Sequence, residues 1–315
     1  MWRFEFDNDI VGGSDDFFSA GWSIQSHGAP VSSWDELELN SVSSWIAEHV
    51  PGISGGEGMV VRRGTGLSQI IQTPKDISDP ELIEDDVPYA GALTLATSWT
   101  AMSDDKITTF QILGGILGPA SLAEEAQKFV HNDLGMGDDP MGWDHQLSNE
   151  PILNLNMSTA YKLWRSGEPE GMSMDLSGGG GFGLGNLFTQ AQLGLQTRFG
   201  WNVPRGFAHI PDMAGRGVIV NPVMNSAETG VTRLFGTIAA RAAAVGYTVL
   251  LDGNTFEDSH SVDYDPYLAQ VITGVHWLQG AMGLHFNLYL STNPADDFAA
   301  SELSWGNVSF SYQFD

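Results

Sequence analysis

Residues 89–99 read Tyr-Ala-Gly-Ala-Leu-Thr-Leu-Ala-Thr-Ser-Trp, with a period of two. Tyr89, Gly91, Leu93, Leu95, Thr97 and Trp99 fall on one face of an extended chain, because successive side chains of a strand point to opposite sides. The same alternation runs at both ends of the sequence. Trp2, Phe4 and Phe6 alternate with Arg3, Glu5 and Asp7; Phe18, Ala20, Trp22 and Ile24 with Ser19, Gly21, Ser23 and Gln25; Val308, Phe310, Tyr312 and Phe314 with Asn307, Ser309, Ser311 and Gln313. Each segment has one apolar face and one polar or small face. A soluble sandwich turns the apolar face inward. A membrane barrel turns it out to lipid and keeps Gly, Ser, Asn and Gln in the lumen.

Three features favour the barrel. Segments of about 10 residues recur, the length that a tilted membrane strand needs. Trp and Tyr stand near segment ends, as in aromatic girdles. The chain also closes on a strand ending in Phe314, one residue before Asp315. The candidate strands are 2–9, 17–26, 59–73, 89–100, 107–118, 150–165, 172–185, 187–201, 233–256, 263–277, 281–292 and 304–314. That makes twelve, an even number, as a single-chain bacterial barrel requires; the expectation that these features favour is an all-β, 12-stranded antiparallel transmembrane barrel, one domain over 1–315. With strand one running outward, the external connections are 10–16, 74–88, 119–149, the turn near 186, 257–262 and 293–303. Segments 29–58 and 202–232 then face the periplasm, and Trp34–Val50 within the first reads as an amphipathic helix.

Composition supports this reading by exclusion. The 315 residues hold 39 acids against 13 bases, a formal charge of −26, yet only 17% are charged and 42% are hydrophobic, so an ordered fold is expected. With no cysteine there is no disulfide, thiolate metal site or cysteine nucleophile. So few Lys and Arg argue against nucleic acid as a partner. The apolar run 112–123 is broken by Gly114, Gly115, Gly118, Pro119 and Ser121, and is too short for a spanning helix. The opening Met-Trp-Arg-Phe-Glu-Phe-Asp-Asn-Asp lacks the basic and apolar regions of a signal peptide.

One helix interrupts the strands. Residues 121–134 read Ser-Leu-Ala-Glu-Glu-Ala-Gln-Lys-Phe-Val-His-Asn-Asp-Leu. Ser121 with Glu124 predicts a capping box, and Gly135 a C-cap. Gln127 and His131 share a face, while Leu122, Ala126, Phe129 and Val130 offer apolar contact. A single helical histidine is more often a packing or surface residue; here, acids follow it at Asp133, Asp138 and Asp139. The other seven histidines show no metal-ligand spacing. Asp7, Asn8 and Asp9 end the first strand, with Asp15 and Asp16 beyond. Such oxygen donors suit a hard cation, or are simply a solvated acidic turn; Val11 rules out an EF-hand loop. There is no Gly-x-Ser-x-Gly nucleophile motif. The run 177–181 is not a phosphate loop but small residues on a crowded strand face.

In order along the chain stand Phe6-Asp7-Asn8-Asp9, Asp16-Phe17-Phe18-Ser19-Ala20-Gly21, Pro88-Tyr89-Ala90-Gly91 and Gly118-Pro119-Ala120-Ser121-Leu122. They are followed by Gln127-x-x-x-His131, Gly142-Trp143-Asp144-x-Gln146-Leu147 and Leu251-Asp252-Gly253-Asn254-Thr255-Phe256. This ordered set resembles the lipid A 3′-O-deacylases of the bacterial outer membrane (LpxR-type). The resemblance implies a barrel of twelve strands with a helix in an external loop, acting on lipid A of the outer leaflet of the bacterial outer membrane. It implies calcium-dependent ester hydrolysis, with no protein partner. Matched residue by residue, His131 becomes the general base, Asp9 a cation ligand, and Asn8, Ser19 and Gln127 the positioning groups for water, ligand or oxyanion. The family's acid six residues after the His falls on Gly137, with Asp138 one position late as the alternative metal ligand. For lipid A phosphates, the candidate cations are Arg62, Arg63, Lys75 and Lys128.

Other readings keep the scaffold and change the function: an outer-membrane phospholipase or other esterase, or a non-catalytic channel or structural barrel. A soluble β-sandwich lectin abandons the membrane altogether.

Overall fold

The computed structural model describes residues 1–8, 20–133, 138–168, 170–207, 231–292 and 302–314. The strands are β1 (Trp2–Asn8), β2 (Ala20–His27), β3 (Val60–Gln72), β4 (Ala90–Met102), β5 (Lys106–Leu117) and β6 (Glu150–Gly167). They continue as β7 (Met172–Gly185), β8 (Phe188–Trp201), β9 (Thr232–Thr248), β10 (Tyr267–Gln279), β11 (Met282–Thr292) and β12 (Glu302–Tyr312). All neighbours are antiparallel, and β1 pairs with β12 (Trp2↔Tyr312, Phe4↔Phe310), so the barrel is closed with twelve strands. Closure leaves no unpaired strand edge, a requirement for backbone in hydrocarbon. No helix among the described residues is long and apolar enough to cross a membrane.

The alternation points outward with its apolar face. Trp2 and Phe4 are 50% and 46% exposed, while Arg3, Glu5 and Asp7 are buried in the lumen. The lumen holds Asp175 bonded to Arg198 and to Lys162 at 2.9 Å, so these buried charges are paired. Towards the external mouth the lumen is apolar, with Leu117, Leu147, Phe188 and the stacked rings of Tyr289 and Trp305 in one cluster.

Helix α1 (Ser41–His49) follows a short 3-10 turn at Trp34–Glu36. The single helix expected over 34–50 is therefore split, because Asn40 starts a new one: its side-chain oxygen accepts from Ser43 N at 2.8 Å. Helix α2 is Ala123–Lys128, continued by a π turn at Phe129–Asp133. The expected Ser121–Glu124 capping box does not form. Ser121 closes a 3-10 turn, Leu122 caps the helix in the left-handed conformation without a side-chain bond, and Glu124 instead pairs with Lys128 at 2.6 Å. The expected C-cap, Gly135, lies outside the described residues. β9 ends at Thr248 rather than 256: Val249–Asp252 forms a helical turn, α3, which buries Val249, Leu250 and Leu251 in the mouth of the lumen. Asp252 closes this turn by accepting from Thr248 N at 2.7 Å. The glycines at 178–181 meet neighbouring strands as a crowded face requires; a Cβ at Gly179 would lie 2.4 Å from Thr159 O.

Candidate active site

The site is built on the outer wall, at the rim from which the odd-to-even connections leave. Register places Asn8 opposite Ala20, Ala20 opposite Ile71, and Ile71 opposite Gly91. These four residues form one row across β1–β4, on the face that Phe4 and Phe6 share. At a strand spacing of about 4.8 Å, Asn8 stands roughly 14 Å from Gly91.

Helix α2 sits on the Ile71–Gly91 end of this row. A Cβ on Gly91 would lie 2.2 Å from Ala123 Cβ and 2.4 Å from Ser121 Oγ, so only glycine admits the helix this close. Ile71, Tyr89, Ala123 and Trp143 form the apolar footing, with Ala126 against it. The expected contact residues are partly corrected: Leu122 and Phe129 are exposed, on the side away from the wall. Polar clips complete the attachment. Trp22 Nε1 donates to Gln69 Oε1 at 2.8 Å, and Gln69 Nε2 donates to Ser121 O at 2.7 Å.

Gln127 is buried beneath the helix. Trp143 Nε1 donates to its Oε1 at 2.8 Å. An indole N–H can only donate, so the amide orientation is fixed and Nε2 faces the other way. That buried Nε2 has no hydrogen-bond partner among the described residues. A buried donor left unpaired costs about 1–3 kcal/mol.

His131 lies on the π turn, half-buried, with Nδ1 2.8 Å from the backbone carbonyl of Asp138. A carbonyl only accepts, so in the neutral ring Nδ1 carries the proton and Nε2 the lone pair. The Asp138 side chain is exposed. Asn132 Nδ2 donates to Asp139 Oδ1 at 2.9 Å, which ties the turn to the returning chain. Glu124 bonding raises the Lys128 pKa, and Asp139 and Asp144 add to the shift. Tyr89 donates its hydroxyl to Ile77 O at 3.0 Å; burial first, then the acids Asp76, Asp79 and Asp86, push its pKa up to about 12. Tyr89 therefore stays a donor throughout the physiological range.

Of the residues expected in the site, Gln127 and His131 share the α2 segment, Asp138 reaches His131 through its backbone, and Asn8 stands in the wall row. Asp9 and Ser19 lie outside the described residues. Trp143, Trp22, Gln69 and Gly91 received no role from the sequence. Trp143 and Gly91 stood inside motifs that carried the resemblance, whereas nothing local marked Gln69. Arg62 and Arg63 are at the opposite rim: Arg62 bonds Gly28 O at 2.5 Å and Arg63 lies over the Trp99 ring. Lys75 and Lys128 remain at the external end.

Oxygen donors and acids surround the helix, which suits a hard cation chemically. Among the described residues, however, no group of three or more His, Asp or Glu side chains converges on one point.

Comparison with known proteins agrees with this architecture. The family model described as Outer membrane protein LpxR matches residues 1–314. The structure of LpxR from Salmonella typhimurium superposes with a TM-score of 0.77 at 14% identity, covering 99% of both chains. The β domain of the Bordetella autotransporter BrkA gives a TM-score of 0.46 at 9% identity, covering 99% of this chain and 98% of that one. No curated protein matches in sequence. A family match over almost the full length, on a closed barrel with lipid-facing aromatics, places this chain in the LpxR family of bacterial outer-membrane proteins.

Proposed function

We propose that this protein is an outer-membrane ester hydrolase that removes the 3′-linked acyloxyacyl group of lipid A. The observation that carries the reading is the pairing, on one helix clamped to the lipid-facing wall, of a histidine held in its base tautomer with a buried amide donor. His131 Nε2 takes the proton of a water that attacks the ester carbonyl. Gln127 Nε2–H faces the developing oxyanion, or the water that leads to it. Collapse of the tetrahedral intermediate breaks the ester C–O bond. His131 returns the proton to the leaving sugar oxygen, yielding a free hydroxyl and a fatty acid. Asn8, in the same wall row, and Ser19 are assigned to positioning substrate or water.

Calcium is part of the proposal. Asp9 and Asp138 would hold it with neighbouring oxygens, and when bound it would neutralise negative charge on the reacting group or on lipid A phosphate. The described carboxylates do not assemble a cation cage without Asp9, so calcium binding is assigned to the complete site. Lys75 and Lys128 are the protein cations nearest this rim for the phosphates of the glycolipid.

The placement supports a lipid substrate, since the helix lies on the outside of the wall with Leu122 and Phe129 exposed. An open channel is disfavoured by the apolar side chains that fill the external mouth of the lumen. The test is incubation of purified protein and calcium with lipid A, read by mass spectrometry. Loss of the 3′-linked acyl group is expected, and His131→Ala should stop it. Undiminished release by that variant would remove His131 from the mechanism. Cleavage of glycerophospholipid but not lipid A would reassign the substrate.

A further inference from the structure

Helix α1 occupies an unexpected place for a periplasmic connection. Its buried residues Ile46 and Ala47 pack against the outer, lipid-facing side of the barrel, with Val61, Trp99 and Ala101, and Ser43 is buried on the same side of the helix. Trp99 is on the outward face of β4, yet is only 3% exposed, because this helix and Trp34 cover it. The helix therefore lies where lipid would otherwise touch the wall.

Its own outer edge is apolar. Val42 is 65% exposed and Trp45 58%, and Trp45 stacks on His49 at 4.8 Å. The spacing i, i+3, i+7 puts these three on one stripe, adjoining the buried stripe. Ser41, Ser44 and Glu48 lie on the opposite flank. One edge of the helix is thus apolar and aromatic, while the other is polar.

The same rim carries exposed aromatics on other strands: Trp2 of β1, Tyr161 and Trp164 of β6, Trp201 of β8 and Tyr312 of β12. Such rings form the girdle at the membrane–water interface. In the β3–β5 sector the wall's own aromatic, Trp99, is covered, and Trp45 takes its place one layer further out.

We propose that α1 is an interfacial anchor, with its Val42–Trp45 edge seated in the inner, phospholipid leaflet beside the barrel. Residues 29–61 contain five acids (Asp35, Glu36, Glu38, Glu48 and Glu57) and no Lys or Arg. Headgroups without net charge therefore fit this segment, and anionic ones do not. The occupant is a zwitterionic phospholipid surface, held by apolar burial rather than charge.

The absence of cysteine makes single labels straightforward. Val42→Cys and, separately, Trp45→Cys would carry a nitroxide on protein reconstituted in zwitterionic phosphatidylcholine vesicles. Collision with dissolved oxygen and with a water-soluble nickel chelate is read by spin resonance. References are Leu95→Cys, exposed on the lipid-facing side of β4, and Asp35→Cys, exposed on the polar turn. Oxygen accessibility within roughly twofold of the Leu95 label, with nickel accessibility several-fold below the Asp35 label, is expected of an apolar edge in lipid. Nickel collision equal to that of the Asp35 label would overturn the proposal, placing the edge in water. Exclusion of both reagents would also overturn it, since protein would then cover the edge. Two label positions guard against one variant failing to fold, and hydrolytic activity plays no part in the readout.

Discussion

Two helices rest on the same outward face of β4, eight residues apart in their footings, and they differ in what holds them. Helix α2 stands on Gly91 at the external end, while α1 stands on Trp99 towards the periplasm. The external footing is small: glycine and alanine in close approach, fixed by the Trp22–Gln69–Ser121 and Trp143–Gln127 bonds. The periplasmic footing is large, with Trp34, Ile46, Ile53 and Trp99 in one apolar cluster and Trp34 Nε1 donating to Ile53 O at 2.7 Å. Small residues let a helix bring polar side chains up to the wall. Large apolar residues fill the same gap and leave only support. Chemistry is therefore expected at the Gly91 end and stability at the Trp99 end.

The comparison can be broken most severely at His131. His131→Ala is expected to cut lipid A deacylation about 10²–10⁴-fold, the range of a lost general base, with the barrel still folded by its heat-dependent mobility on gels. Next, substitutions at the two footings should separate function from stability. Gly91→Leu forces α2 off the wall and is expected to remove most activity without unfolding the barrel. Trp99→Ala should instead destabilise the fold by about 3–5 kcal/mol, measured by urea titration, while activity per folded molecule is kept. Equal losses of activity in both would show that the footings are not specialised.

Trp143→Phe sharpens the point on a finer scale. It keeps the ring packing but frees the Gln127 amide to turn, so kcat should fall about tenfold with KM little changed, the mark of an interaction made in the transition state. The smallest effect concerns Tyr89. Its pKa is raised from 10 to about 12, so its contribution to the α2 footing is complete below pH 10 and is lost as pH rises through about 12. Tyr89→Phe should flatten that alkaline limb in a stability profile, at a cost of about 1 kcal/mol at neutral pH for the bond to Ile77.

Much of the fold was legible because its signal is local. Phe4 against Glu5, or Leu95 against Thr94, shows the period of two without knowledge of any partner strand. Beyond Thr248 the sequence reads as a continuation of β9, because Val-Leu-Leu is as good a strand as a helical turn; the bonds to Asp252 and the space in the lumen mouth decide for the turn. The segment carrying Gln127 and His131 is legible as a helix, but its cap is not, since Ser121 closes a 3-10 turn and Leu122, in the left-handed conformation, takes the N-cap position instead.

The sequence by itself determined the strands and the segment that carries the histidine, because alternation and turn chemistry act between near neighbours. Alternation alone fits a sandwich as well as a barrel; the closure of β1 on β12, with Trp2 and Phe4 exposed, decides for the barrel. Only the tertiary structure decided that the amide of Gln127 is turned by Trp143, that His131 leans on the Asp138 carbonyl, and that two outward-facing stretches of one strand are covered by helices. Those contacts join residues brought together by loop placement and by closure of the barrel. Their geometry depends on which side chains leave room, as Gly91 does and Trp99 does not.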